Sequence, residues 1–206
     1  MSTPDAAAWD ERYRRTDHVW SLEPNQFVVE HLSELPIGSM LDLGGGEGRN
    51  SLWFAGRGWT VENSDLSAVA VSKFLERAKD LGLADRCTGT VGSATESSAC
   101  TTGPVDLVVC AYLQLPEEML DVVIHTASDA LVIGGTFFGV WHARENLTHG
   151  WGGPQHEAVL PRLSELVEGI RRAGLTLVKA ELVDRYVTVD GQTHKAIDVL
   201  VRATRK

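Results

Sequence analysis

The order of apolar runs along this 206-residue chain constrains its fold more than any other feature. Runs of strand length alternate with stretches of helical period, which is the sign of βαβ units winding a mostly parallel sheet. Seven strands are predicted, over residues 40–43, 59–64, 87–91, 105–111, 131–141 (with a glycine turn at its start), 175–189 and 194–203. Between them Val71, Phe74, Leu75 and Ala78 recur at i, i+3, i+4 and i+7. Leu120, Val123, Ile124 and Ala127 repeat the pattern, as do Leu163, Leu166, Val167 and Ile170. Each set predicts a helix with one buried face and helices on both sides of the sheet. Asp190-Gly191, a tight-turn dipeptide, separates the last two strands and predicts an antiparallel hairpin closing an otherwise parallel sheet.

The length suits one domain, 1–206, with two segments outside the alternating pattern. Residues 1–37 carry Trp9, Tyr13 and Trp20 ahead of the first strand, and residues 142–160 form a glycine-rich loop without a clean period. Loops of that length are uncommon unless they serve a function. A formal charge of −9 repels a phosphate backbone, so nucleic acid is not expected as a partner. The longest apolar stretch, 130–141, is shorter than the roughly 20 residues of a membrane span and contains Gly134, Gly135 and Gly139. Acids and arginines stand in the first fifteen residues where a signal peptide needs an apolar run, so a cytoplasmic location is expected. Cys87, Cys100 and Cys110 have no C-x-x-C spacing and read as reduced structural thiols. No metal-ligand spacing occurs among the histidines and cysteines, and no metal is expected.

The segment MLDLGGGEGRN passes from a buried strand into glycines and then toward a helix, where small residues let the backbone approach a ligand closely. Gly44, Gly46 and Gly48 follow G-x-G-x-G, whereas a dinucleotide fingerprint needs a third small residue where Arg49 stands. Asp65 ends the next strand 21 residues after Gly44, the distance at which an acid reaches a ribose diol. Asp42 and Glu47 are hard to reconcile with a pyrophosphate. They suit a ligand bearing an ammonium and a sulfonium, since opposite charges in a partly buried cleft attract by about several kcal/mol before desolvation.

These residues resemble the small bacterial class I S-adenosylmethionine-dependent methyltransferases, similar to the tellurite-resistance and thiopurine methyltransferase-like groups. The marks are WDERY, EPN, LDLGGGEGRN, the acid in SDLS, DLVVCAYLQLP and NLTHGWGGPQ, which together span nearly the whole chain. The resemblance implies a Rossmann-like α/β fold whose seven-stranded sheet has an antiparallel last strand. It further implies S-adenosylmethionine as cofactor, S-adenosylhomocysteine as product and a small-molecule acceptor. Carried over by position, it places Gly44, Gly46, Gly48 and Asp42 near the methionine part, Asp65 on the ribose hydroxyls, Leu66 beside the adenine and backbone contacts around Ala111. Two departures stand out: Gly45 replaces a frequent cysteine, and GSATE lacks the usual acid beside its adenine-facing positions, Ser93 and Ala94.

Trp9 and Tyr13 are four apart and share one helical face, with Trp20 a short loop away. Such rings could cover a sulfonium, at about 0.5–2 kcal/mol, or shape an acceptor pocket, and equally could only fasten a helix to the sheet. Trp20 is the ring expected to touch the cofactor. Tyr112 and Gln114 follow the fourth strand and His142 the fifth, at the carboxyl edge where open α/β sheets bind ligands. A thiolate acceptor needs no base, whereas an alcohol or phenol does, and His142 is the candidate, with Tyr112 as a second catalytic candidate. Arg144 and Asn146 are candidates for anchoring a polar acceptor. Two other readings stay open: a nicotinamide-dependent oxidoreductase, and a protein that binds an adenosyl ligand without turnover.

Overall fold

A computed structural model describes residues 5–19, 21–96 and 103–206. Trp20 and Cys100 lie outside them. Two helices, α1 (Ala6–Arg14) and α2 (Gln26–Leu32), precede the alternating unit β1 (Ser39–Leu43), α3 (Arg49–Gly56), β2 (Thr60–Asp65), α4 (Ala68–Asp80) and β3 (Cys87–Val91). Then come β4 (Val105–Ala111), α5 (Glu117–Ala130), β5 (Leu131–His142), α6 (Asn146–His149), α7 (Leu163–Arg172), β6 (Leu175–Val189) and β7 (Gln192–Arg205).

The strands form one sheet in the order β3-β2-β1-β4-β5-β7-β6. Strands β1 to β5 pair in parallel, and β7 runs antiparallel to both its neighbours. The hairpin joining β6 to β7 turns at Asp190 (φ 50°) and Gly191 (φ 78°), the pair of left-handed residues that a two-residue turn matched to strand twist requires. The glycine turn early in β5 is a bulge. Val105 pairs with Leu131 and Leu107 with Thr136, so three extra residues around Gly134 loop out before regular pairing resumes.

Each face of the sheet carries its own core, because parallel strands are buried on both sides. Phe137 and Trp141 of β5 pack with Leu120 and Ile124 of α5 and Leu166 and Ile170 of α7. Met40, Val61, Leu107 and Phe138 on the other face pack with Phe27, Phe54 and Phe74 from α2, α3 and α4. Each such side chain stabilises the fold by about 1.5–3 kcal/mol. The strand direction reverses its order of addition between β1 and β4, which opens the crevice beyond their carboxyl ends where ligands bind in such sheets.

β5 pairs with β7 only as far as His142 opposite Asp198, whereas β6 and β7 stay paired out to Val189 opposite Gln192. Residues 184–197 therefore project past the carboxyl edge, beside that crevice. Gly48 (φ 75°) closes the loop after β1 against α4, and a Cβ there would lie 2.1 Å from the Phe74 ring. Gly82 (φ 70°) has similar torsions and open space around it. Gly48→Ala is expected to cost about 3 kcal/mol or more, from left-handed strain plus overpacking, and Gly82→Ala only about 1. Urea unfolding of the two variants measures the difference.

Candidate active site

The loop between β1 and α3 is built from backbone that other residues hold flat. The Gly44 and Gly45 amides donate to the Ser64 carbonyl at 2.8 and 3.2 Å, and the Asn63 side-chain amide donates to the Gly46 carbonyl at 2.9 Å. Gly44 (φ 67°) and Gly46 (φ 57°) are both left-handed. A Cβ on Gly45 would lie 1.9 Å from Asn63 Oδ1, so the position that often carries cysteine is closed here by Asn63. Asp65 lies across the end of this loop: its Oδ2 accepts from the Gly46 amide at 2.9 Å and its Oδ1 from the Ser67 amide at 2.8 Å. Burial pushes its carboxyl up from the ordinary range, and the two amides oppose that shift. The acid at the end of β2 is thereby fixed beside the glycines, as the motif predicts.

Asp42 and Glu47 have different duties from the ones their charges suggested. Asp42 is 1% exposed and covered by the loop, and the Ser51 hydroxyl donates to it at 3.0 Å. Burial pushes it up to about 6. Glu47 is consumed by protein partners, with Oε2 accepting from the Val19 amide at 2.9 Å and Oε1 pairing with Lys73 at 3.2 Å. Lys73 also donates to the carbonyls of Tyr13 and Thr16 at 2.6 Å and of Asp17 at 3.1 Å. These bonds tie the end of α1 to α4 and to the glycine loop. Asp10 adds a second tie by accepting from the Ser67 hydroxyl at 2.5 Å and the Val69 amide at 3.1 Å.

Tyr13 is consequently buried, with its hydroxyl 2.7 Å from where a Cβ on Gly46 would stand. Trp9 packs on it at 5.9 Å between ring centroids. Leu66 is 37% exposed immediately after Asp65, and the Ser93 hydroxyl bonds the Thr95 hydroxyl at 2.7 Å with Ala94 packed on the core beyond β3.

The carboxyl end of β4 leads from Ala111 into Tyr112, whose φ of 58° is strained for a residue with a side chain. Four neighbours hold it there. The Tyr112 amide donates to the Val140 carbonyl at 2.8 Å, its hydroxyl donates to Asp198 Oδ2 at 2.6 Å, and Asn25 donates to that hydroxyl. Its ring lies 4.8 Å from the His142 ring. Arg185 Nε also donates to Asp198 Oδ2, at 2.6 Å, while His142 Nδ1 lies 3.2 Å from Asp198 Oδ1. Burial raises the Asp198 carboxyl, but the contacts from His142, Arg185 and Tyr112 outweigh it and hold the group below the usual carboxylate range. Burial and the Asp198 charge both push the Tyr112 phenol up, so it stays a neutral donor. His142 Nδ1 also lies 3.5 Å from Arg185 Nη2. His142 Nδ1 thus faces both the Asp198 carboxylate and the Arg185 guanidinium.

Gln114, Arg144 and Asn146 are brought near this cluster but are engaged in holding the chain around it. Gln114 accepts from the His142 amide at 2.9 Å and donates to the Val159 carbonyl at 2.6 Å. Arg144 donates to the Leu160 carbonyl at 2.9 Å and pairs with Glu165 at 3.4 Å. Asn146, 3% exposed, donates to the Gly152 carbonyl at 2.8 Å and accepts from the Ile197 amide at 2.7 Å. These three side chains fix residues 143–160 over the β6–β7 hairpin, where Trp151 stacks on His194 at 4.5 Å. Among the described residues, no group of three or more acids, histidines and cysteines is arranged to hold a metal, and no helix is long and apolar enough to cross a membrane.

Residues 40–135, from β1 through the start of β5, match the model of a methyltransferase domain. The sheet order and the helices on both of its faces are those of the Rossmann-like class I methyltransferase fold. No curated protein matches the chain in sequence. Solved structures match it across almost its whole length at low identity. One, which concerns the conversion of a disulfide bond into a thioacetal group during echinomycin biosynthesis, is 19% identical, with TM-score 0.77 over 98% of this chain and 91% of the other. TehB from Haemophilus influenzae is 16% identical, with TM-score 0.70 over 98% of this chain and 67% of its own. Geranyl diphosphate methyltransferase in complex with SAM is 20% identical, with TM-score 0.67 over 88% of this chain and 84% of its own.

Three residues of the acceptor side escape a reading by motif: Asp198, Arg185 and Asn25. Asp198 has a visible signal, an acid inside the apolar run AIDVLV, since buried carboxylates are rare unless paired. Its partner shows only in the register that sets it opposite His142. Asp42 makes a separate, pH-dependent contribution. Its ionisation moves from 3.8 in the open chain to about 6 in the folded one. The folded state therefore holds an extra proton between those values, and stability falls as pH rises through that window, by about 3 kcal/mol. Asp42→Asn is expected to lack this loss, so urea midpoints at pH 4 and pH 7 should draw together in the variant relative to the parent chain.

Proposed function

We propose that the enzyme methylates a hydroxyl group of a small molecule, with His142 as general base and the glycine loop and Asp65 as the cofactor cradle. The observation that carries this reading is the His142–Asp198 contact at 3.2 Å, made at the carboxyl edge of the strand next to the one that ends in Ala111 and Tyr112. In this reading the imidazole carries its proton on Nδ1, toward the buried carboxylate, accepts the acceptor's proton at Nε2 and is stabilised by Asp198 once it has done so. A thiolate acceptor would have no use for that arrangement.

S-adenosylmethionine supplies an electrophilic methyl group on its sulfonium. The chain's share of the work is to bind, align and keep out water, because displacement at carbon is governed by orientation. Asp65 presents its carboxylate edge to the ribose hydroxyls, and the left-handed Gly44, Gly46 and Gly48 leave space for the methionine part beside Ala111. Leu66, Ser93 and Ala94 flank the adenine position. Tyr13 and Trp9, held by the Lys73 and Asp10 ties, close the crevice from α1, with Trp20 adjoining them in sequence. Residues 143–160 close it from the opposite side, and His142 receives the acceptor proton. Gln114, Arg144 and Asn146 position that loop and reach the acceptor only through it.

The acid side chain on the ribose hydroxyls accounts for roughly 1.5–3 kcal/mol of binding. Calorimetric titration of Asp65→Ala with S-adenosylhomocysteine is therefore expected to show an affinity about 10- to 100-fold weaker, and unchanged affinity in a folded variant refutes the assignment. A screen of phenols and alcohols with the parent chain identifies the acceptor. On that acceptor His142→Ala should slow transfer about 100-fold or more while leaving the cofactor titration unchanged, whereas equal rates return His142 to a purely structural role.

A further inference from the structure

Arg185 stands on β6 opposite Ala196, in the part of the hairpin that runs past the carboxyl edge of the sheet. Its side chain is 20% exposed, and its guanidinium carbon lies 5.6 Å from the centre of the Tyr112 ring. Among the described residues, Nε is the donor that meets a charge, at Asp198 Oδ2, 2.6 Å away. That oxygen also accepts from the Tyr112 hydroxyl, and Asp198 Oδ1 lies toward His142. The other N–H donors of the guanidinium meet the Tyr112 hydroxyl and, at 3.5 Å, His142 Nδ1, and no second carboxylate.

One carboxylate therefore serves a phenol, an imidazole and a guanidinium, while a second guanidinium, that of Arg49, lies 5.9 Å from the same tyrosine ring. Asp184, next to Arg185 on β6, is on the opposite face of the strand and pairs with Lys195 at 3.3 Å. A guanidinium keeps its charge when buried, and its desolvation is offset when an anion completes its donors. The space beside it is small, because Gly153 lies against the imidazole: a Cβ there would be 3.0 Å from His142 Nδ1. A carboxylate suits the remaining edge of Arg185, since its planar shape matches the arginine fork and its single charge balances one cation.

We infer that the acceptor is a small hydroxy acid whose carboxylate binds Arg185 while its hydroxyl faces His142, an inference that rests on the base assignment given above. Arg185 Nη2 and His142 Nδ1 are 3.5 Å apart, so the carboxylate and the reacting hydroxyl are separated by few bonds. The hydroxyl oxygen forms its bond to the methyl carbon as the carbon–sulfur bond breaks with its electron pair on sulfur, and the hydroxyl proton passes to His142. The carboxylate takes no part in that exchange and stays ionised, so the product is a methyl ether that keeps its acid.

The test compares acids with their amides, which differ in charge and share the reacting hydroxyl. The ortho-, meta- and para-hydroxybenzoates and lactate, each beside its amide, are incubated with S-adenosylmethionine and the parent chain, Arg185→Gln or Arg185→Lys. Formation of S-adenosylhomocysteine gives the rate, and mass spectrometry before and after alkaline hydrolysis tells ether from ester. In the parent chain at least one acid is expected to exceed its amide about 10- to 100-fold in kcat/KM, the range of a charged hydrogen-bonded pair. Arg185→Gln should lower that ratio about tenfold or more, and Arg185→Lys should restore part of it. Damage that passes through Asp198 to His142 cancels in the ratio, so equal losses for acid and amide overturn the inference and make Arg185 a support for Asp198. No turnover in the acid half of the panel, a ratio unchanged in Arg185→Gln, or a methyl ester as product overturns it as well. An unchanged rate for His142→Ala on the favoured acid refutes the base reading and leaves the acid preference standing. Failure of the parent chain to bind S-adenosylhomocysteine refutes the cofactor reading and the inference with it.

Discussion

The glycine loop lies in van der Waals contact with three side chains at once, and the rest of the site is arranged around that closeness. Phe74 of α4 occupies the space a side chain on Gly48 would need, Asn63 fills it at Gly45 and the Tyr13 hydroxyl fills it at Gly46. Packing at this density leaves no room for a side chain at these three positions. Because Asn63 and Asp65 both lie on β2, the strand pairing of β1 with β2 sets where the acid stands relative to the glycines. The placing of Asp65 beside the glycines is thus a product of sheet register more than of loop chemistry.

The same closeness explains why an amino-terminal helix belongs to the site. Tyr13 can cover Gly46 only if α1 is fastened, and the fastening is polar. Lys73 gathers three carbonyls from the end of α1 and the turn after it, and Glu47 holds both the lysine and the Val19 amide. A carboxylate inside a cofactor loop thus serves the protein and leaves the ligand's cations to other groups.

Much of this architecture is legible in the order of residues, and the reasons for the gaps are physical. The strands at 87–91, 105–111 and 175–189 have the bounds that apolar runs suggest, and Asp190-Gly191 makes the hairpin, because these signals are local. The G-x-G-x-G loop and Asp65 are legible because one strand–turn–helix unit carries the chemistry. Glu47 was open to misreading because its partner, Lys73, is 26 positions away on another helix. His142 could be singled out by its place at a strand end, but Asp198 and Arg185 could not be joined to it, since their meeting depends on which strand lies beside β5. Gln114, Arg144 and Asn146 lie near the cluster, and each also bonds the backbone around it, which no motif displays. A sequence displays polar groups without saying which of them the backbone will consume.

The site divides unevenly along the chain. Its glycine loop and Asp65 lie on β1, β2 and the turn between β1 and α3, whereas the His142, Arg185 and Asp198 cluster is gathered by β5 and the β6–β7 hairpin, whose end overshoots the sheet. That overshoot shares no strand pairing with the glycine loop. Changes in the overshoot alter the surroundings of His142 and leave the pairing that sets the glycine loop as it was. The glycine loop and the histidine cluster are therefore set by different strand pairings, and each can change while the other keeps its register.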